Sequence, residues 1–207
     1  MPKKVLTLNA PNDLVLEWRG LFKTMTVTLA GRELGTFPDK RSLQAGRGFP
    51  LPSGGELFIQ LEQKFGGPEL VVKRDGVPVA GSATDPEVQI SAAYGVMFFI
   101  AALNLALGLV AELGHVGVLQ RFGLGWPSVG FGALFVVLGV LVWKARSRIA
   151  LVLGIVIFAV DGVVGIYHAM ELMGPNHSPP MGGIIMRVFL LLPMINGVKA
   201  LGAKRAS

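Results

Sequence analysis

IALVLGIVIFAVDGVVGIYHAMELM, Ile149 to Met173, decides how the chain is read. Its 25 residues contain no Lys or Arg, and Asp161 is the only charge before Glu171 near the far end. An apolar α-helix of this length crosses a hydrocarbon core of about 30 Å. Asp161 then falls deep in the bilayer, where an ionisable group costs about 2.5 kcal/mol or more and is expected to face other helices and to have a partner. Arg187 is the one basic residue well inside another apolar span. The pairing of Asp161 with Arg187 is therefore the central expectation.

Three more spans follow from the flanking sequence. Thr84-Asp85-Pro86-Glu87 offers an N-cap, a first-turn proline and an acid, and starts a helix that continues to about Glu112. Pro127 opens a second span, bracketed by Trp126 and Trp143 at a spacing that suits two interfacial aromatic belts. Ser147 can cap the third span and Gly174-Pro175 can stop it, while Pro193 should bend the fourth. The predicted spans are 86–112, 127–143, 148–173 and 182–201. Small residues inside them, Ala102, Ala106, Gly132, Gly139, Gly162 and Gly165, are expected at helix crossings.

Charge sets the orientation and the domain boundary. Lys144, Arg146 and Arg148 follow the second span and Lys199, Lys204 and Arg205 end the chain, whereas the opposite ends carry only Arg121. The positive-inside rule then places both termini in the cytoplasm, with a plasma (inner) membrane as the expected location. Of the 19 Lys and Arg, 11 lie in the first 74 residues, and the first 87 carry 10 of the 13 acids. Residues 1–84 therefore read as a small cytoplasmic domain and 85–207 as a membrane domain. The net charge of +6 forms no long basic run, so nucleic acid is not an expected partner and the lipid bilayer is. There is no cysteine, which excludes disulfides, thiol catalysis and cysteine metal sites. No apolar core follows Lys3-Lys4, so a cleavable signal peptide is not expected.

The N-terminal segment shows strand signals. Thr24 to Leu29 alternates three threonines with three apolar residues, Leu34 to Phe37 follows a turn, and Glu56 to Glu62 is a further strand. Glu69 to Arg74, the Asp75-Gly76 turn and Val77-Pro78-Val79 form a hairpin whose last strand belongs at an edge because Pro78 cannot donate to a ladder. Leu14 to Trp18 is a weaker strand signal. An antiparallel sandwich or open barrel of five to seven strands is expected, able to bind a cytoplasmic protein, a lipid or a ligand. Gly46-Arg47-Gly48 and Gly54-Gly55 read as turns, since no Gly-Lys-Ser/Thr of a phosphate loop follows them. Lys40-Arg41 reads as a solvated loop pair.

Two constellations could carry chemistry. Asp161 and Arg187 lie about 18 Å and 8 Å below the outer ends of their helices, a difference a long arginine side chain can bridge. Their pair either fixes helix packing or makes Asp161 a proton or cation site in a small transporter or channel subunit. His115, His168 and His177 all fall near the outer face, with Glu112 and Glu171 three residues from the first two. Side chains at i and i+3 are helix neighbours, so Glu112, His115, His168 and Glu171 could hold Zn and activate water. Interfacial residues meeting water and headgroups is the simpler account. Asn104 and Asn196 are expected to bond between helices. Asn176-His177-Ser178 matches a glycosylation pattern by chance, in a short loop followed by proline. No Gly-x-Ser-x-Gly elbow or other catalytic arrangement is recognisable. The principal reading is a membrane-anchored binding domain, alone or as a homo-oligomer.

Overall fold

The structure, a computed structural model, describes residues 2–9, 12–64, 67–117, 120, 124–173 and 181–206. The chain divides into two compact units, Met1–Val88 and Gln89–Ser207.

The first unit is built from two four-stranded antiparallel sheets. Strands β1 (Lys3–Asn9), β2 (Asn12–Arg19), β3 (Thr24–Leu29) and β4 (Arg32–Phe37) form one, in chain order. A short helix α1 (Lys40–Ala45) leads to the second, made of β5 (Arg47–Pro50), β6 (Glu56–Lys64), β7 (Gly67–Arg74) and β8 (Val77–Pro78). Both sheets turn their apolar alternation to one shared core. Leu14 and Leu16 of β2 and Met25 and Val27 of β3 face Leu57, Ile59 and Leu61 of β6, with Leu43 of α1 also buried. Phe37 meets Phe49 edge-on across the sheets, ring centres 5.6 Å apart. Gly35 permits this approach, because a Cβ there would lie 2.7 Å from the Phe49 ring.

Eight strands form among the described residues, rather than five to seven. The Gly46-Arg47-Gly48 segment is no simple turn: Arg47 to Pro50 pairs with Glu56 to Ile59, so only Gly46 serves the bend. Lys40 and Arg41 sit in α1, not in a loop. Asp39 caps that helix by accepting from the Ser42 N–H at 2.7 Å, and Ser42 Oγ accepts from the Asp39 N–H at 3.4 Å. The Ser42 N–H holds the Asp39 carboxyl below its ordinary pKa. The Asp75-Gly76 turn has φ of 49° and 82°, the left-handed pair of a two-residue hairpin, and β8 is an edge strand. Asp75 Oδ1 also accepts from the Glu56 N–H at 2.8 Å, tying the hairpin to β6.

Among the described residues the second unit has four long helices, of which the first starts just before it: α2 (Pro86–Leu113), α3 (Trp126–Ala145), α4 (Arg148–Met173) and α5 (Met181–Ala206). Asp85 caps α2 by accepting from the Glu87 N–H at 3.0 Å, and Ser147 caps α4 by accepting from the Ala150 N–H at 3.2 Å. The helices run antiparallel in chain order. Gly108 faces Val129 and Gly132 faces Ala101 and Leu105, Phe135 contacts Phe158, and Gly154 faces Met194. Gly132 and Gly139 are at crossings as expected from their size. Ala102 and Ala106 are not: both are exposed, and Ala101 and Gly108 point inward instead. Gly197 takes the closest approach, where an added Cβ would lie 2.5 Å from that of Ala93. Gly174-Pro175 lies outside the described residues.

All four helices are long and apolar enough to cross a membrane, with mean hydropathy of 1.8 to 2.7 over their best windows. Only 22% to 33% of each window is fully buried in the bundle, and the rest is half-buried or exposed.

Two outcomes test this description. Leu16→Ala, at a site with 0% exposure, should destabilise the β-domain by about 2–5 kcal/mol, read from Trp18 fluorescence during denaturation in a Trp126→Phe, Trp143→Phe background. Asp39→Ala should destabilise it at neutral pH, and the gap from wild type should close on acidification. A carboxyl whose pKa is lowered by folding stabilises above its unfolded pKa and loses that contribution as pH falls through the folded value.

Candidate functional site

The chain's most unusual chemistry lies where α4 meets α5. Arg187 Nη1 donates to Asp161 Oδ2 at 2.9 Å. The guanidinium also lies over the Phe158 ring, its Cζ 5.5 Å from the ring centre, within the range of a cation–π contact. Phe158 is one helical turn before Asp161, so both attractions come from one face of α4.

Glycines make room for this arrangement. A Cβ on Gly162 would sit 2.8 Å from Arg187 Nη1 and 3.2 Å from its Cδ, and one on Gly165 would sit 3.3 Å from Nη2. The arginine lies along a notch in α4 that any larger residue would fill. Sequence reading assigns Gly162 and Gly165 to helix packing in general. Their specific role, as the bed of a guanidinium, needs the register of α5 against α4. The pair is not sealed in the bundle: the Asp161 and Arg187 side chains keep 45% and 31% of their exposure.

The polar asparagines behave differently from one another. Asn104 Nδ2 donates to the Ile100 carbonyl one turn back in its own helix at 2.9 Å, rather than across to a neighbour. Local back-bonding of this kind satisfies the amide without using another helix. Asn196 lies half-buried on α5.

The histidines and acids expected at the outer face are not brought together among the described residues, where no group of three or more metal-ligating side chains occurs. The i, i+3 neighbour relation expected for Glu112 and His115 does not form. α2 ends at Leu113, and His115 has left-handed backbone with φ of 47°. Glu112 is instead turned to the start of α3, where its Oε1 accepts from the Trp126 N–H at 3.1 Å. Helix α3 has no side-chain cap from its own Gly125. Glu112 supplies a carboxylate to one of the N–H groups that a helix start leaves unpaired, beside the positive end of its dipole. Glu171 is on the last turns of α4 and exposed. The His168 side chain, His177, Arg121 and Asn176 to Ser178 lie outside the described residues.

At the other end of the bundle Lys144, Arg146, Arg148 and Lys199 gather on the ends of α3, α4 and α5. Arg148 reaches across to α5, its Cζ 3.8 Å from where a Cβ on Gly202 would be. Trp126 and Trp143 are 62% and 48% exposed near opposite ends of α3.

The β-domain offers clefts at two places. One, of about 320 Å³, is lined by Thr7 and Leu8 of β1, by Arg74 and Asp75 at the end of β7 and by Val77, Pro78, Val79 and Ala80 at β8; another, of about 300 Å³, lies among Leu29, Ala30, Arg32, Leu34, Pro52 and Ser53. Exposed Val5 and Val77 lie on the same two edge strands.

Compared with protein-family models, curated proteins and solved structures, the chain finds no match.

The ion pair and the helix cap make separable predictions. A double-mutant cycle on Asp161→Asn and Arg187→Gln should give a coupling of at least about 0.5 kcal/mol, measured by unfolding in mixed micelles. Glu112→Ala should destabilise by about 0.5–2 kcal/mol, as loss of a helix cap does, and Glu112→Gln, which keeps an acceptor, should recover part of it. A metal ligand would not be rescued that way.

Proposed function

We propose that the chain is an integral membrane protein in which a cytoplasmic β-domain binds a partner, lipid or ligand and is anchored by a four-helix transmembrane bundle. The anchor reading is carried by the outward face of the helices. Val137, Val160, Val163, Val164 and Tyr167 are each at least 57% exposed, an arrangement that water penalises and hydrocarbon does not. The bundle core supports anchoring over conduction: among the described residues, Ser128 is the one polar residue buried in it, and the rest of its buried residues, from Ile90 to Leu201, are apolar or glycine. The concentration of Lys144, Arg146, Arg148 and Lys199 at one end supports a cytoplasmic position for that end and for both termini, in a plasma (inner) membrane.

The binding role rests on the cleft between β1 and β8. Edge strands present unpaired backbone groups, and an exposed apolar side chain on each edge adds a surface for contact. A second reading, a small transporter or channel subunit using Asp161, draws on the partial exposure of the ion pair.

Alkaline carbonate should leave the full chain in the membrane pellet. A photo-crosslinking residue at Val77 should give a defined adduct in cells, while one at Leu21, 83% exposed and apolar but away from the cleft, should give none. Release by carbonate would overturn the anchor, and equal labelling at both positions would overturn the cleft. Loss of cation or proton flux on Asp161→Asn in vesicles would favour the transport reading.

A further inference from the structure

We propose that two copies of the chain pair within the membrane through the α4–α5 face that carries Asp161 and Arg187, forming a two-fold interface that covers both ion pairs. This rests on the membrane reading above. Asp161 is 13 residues beyond Arg148, about 20 Å along the helix, and so lies within a hydrocarbon core of about 30 Å. At that depth ionisable side chains face a bundle interior or a water-filled cavity, not acyl chains. Yet in the single bundle the Asp161 and Arg187 side chains remain 45% and 31% exposed. Pairing neutralises the charges without removing the polar surface.

The unsatisfied capacity is specific. A guanidinium carries five N–H donors and a carboxylate about four acceptor positions. The Nη1 to Oδ2 bond uses one of each. The Gly162–Gly165 notch and the Phe158 ring hold the remainder in a fixed place.

The charge pattern selects the occupant. A patch bearing one acid and one base side by side is complementary to itself when rotated by a two-fold axis, which sets Asp161 against the partner's Arg187 and the reverse. An anionic lipid headgroup would need net positive charge. That charge gathers at the opposite end of the bundle, at Lys144, Arg146, Arg148 and Lys199. Close approach is open on α5, where Gly183, one turn from Arg187, has open space where a Cβ would be, while on α4 Gly165 is exposed with the guanidinium lying over it. Small residues at such a face let a second helix come near.

The chain has no cysteine, so an introduced one reports alone. Val164→Cys places it one turn from Asp161, and Val110→Cys places it on α2; the two valines are 60% and 53% exposed. The full chain is reconstituted in phosphatidylcholine vesicles at low protein density and treated with an apolar bismaleimide. The expected result is cross-linking to a dimer at least ten times faster at Val164 than at Val110. In the Val164→Cys background, Asp161→Asn with Arg187→Gln should reduce the yield several-fold, and Asp161→Arg with Arg187→Asp, which keeps one charge of each sign, should restore it. Equal rates at the two positions, or a monomeric mass in nanodiscs, would overturn the interface. Carbonate extraction of the same samples separates the two failures. A chain that stays with the membrane but does not cross-link leaves the anchor standing, and a chain found in the supernatant removes both.

Discussion

A carboxylate on an apolar helix cannot be left alone, and that constraint shapes the α4–α5 half of the bundle. Asp161 requires a cation, Arg187 supplies it at 2.9 Å, and the bond fixes which turn of α5 lies against which turn of α4. The neighbouring sequence is fitted to that registration. Gly162 and Gly165 keep the notch clear and Phe158 supplies a ring beneath the guanidinium. A larger residue at Gly162 would displace the flexible end of an arginine, so its cost would fall on the ion pair more than on the helix.

Elsewhere the bundle handles its polar groups locally. Asn104 bonds its own helix, Ser147 caps α4, and Glu112 reaches forward to the start of α3. Asn104 and Ser147 act within their own helices, and Glu112 joins the end of α2 to the start of α3. What remains inside is mostly aliphatic, aromatic and methionine packing, with glycines at the crossings and Ser128 buried near the start of α3. The Asp161–Arg187 pair stands apart because it joins two helices by charge and still keeps polar surface outward.

Much of this is legible in the sequence, for reasons that vary by element. The four long helices are readable because apolar runs of their length have few alternatives, and their ends follow from Asp85, Pro127 and Ser147. Thr24 to Leu29 is readable because its alternation is strict: Met25, Val27 and Leu29 are buried while the threonines are not. β1 is harder, since Val5 faces outward and the strand begins with two lysines. β5 is hidden by Gly48 and Pro50, which argue for a turn, and only Phe49 shows the core-facing side. α1 is short, and its capping box uses Ser42 where Glu or Gln is the usual signal. The site divides in the same way. Two lone opposite charges in apolar spans invite pairing from sequence alone. The role of Glu112 depends on α2 stopping at Leu113, one residue after it, and no local pattern fixes that stop to within a residue.

The strand order of the β-domain has a consequence for how the chain is made. Every strand pairs with its immediate neighbour in the sequence, first β1 through β4 and then β5 through β8, so no pairing awaits a distant segment. The final strand ends at Pro78, eight residues before the first apolar helix begins at Pro86. During translation the whole β-domain therefore leaves the ribosome ahead of α2, and domains close as units in that order. Sequential hairpins then let its strands pair while the apolar helices are still being made.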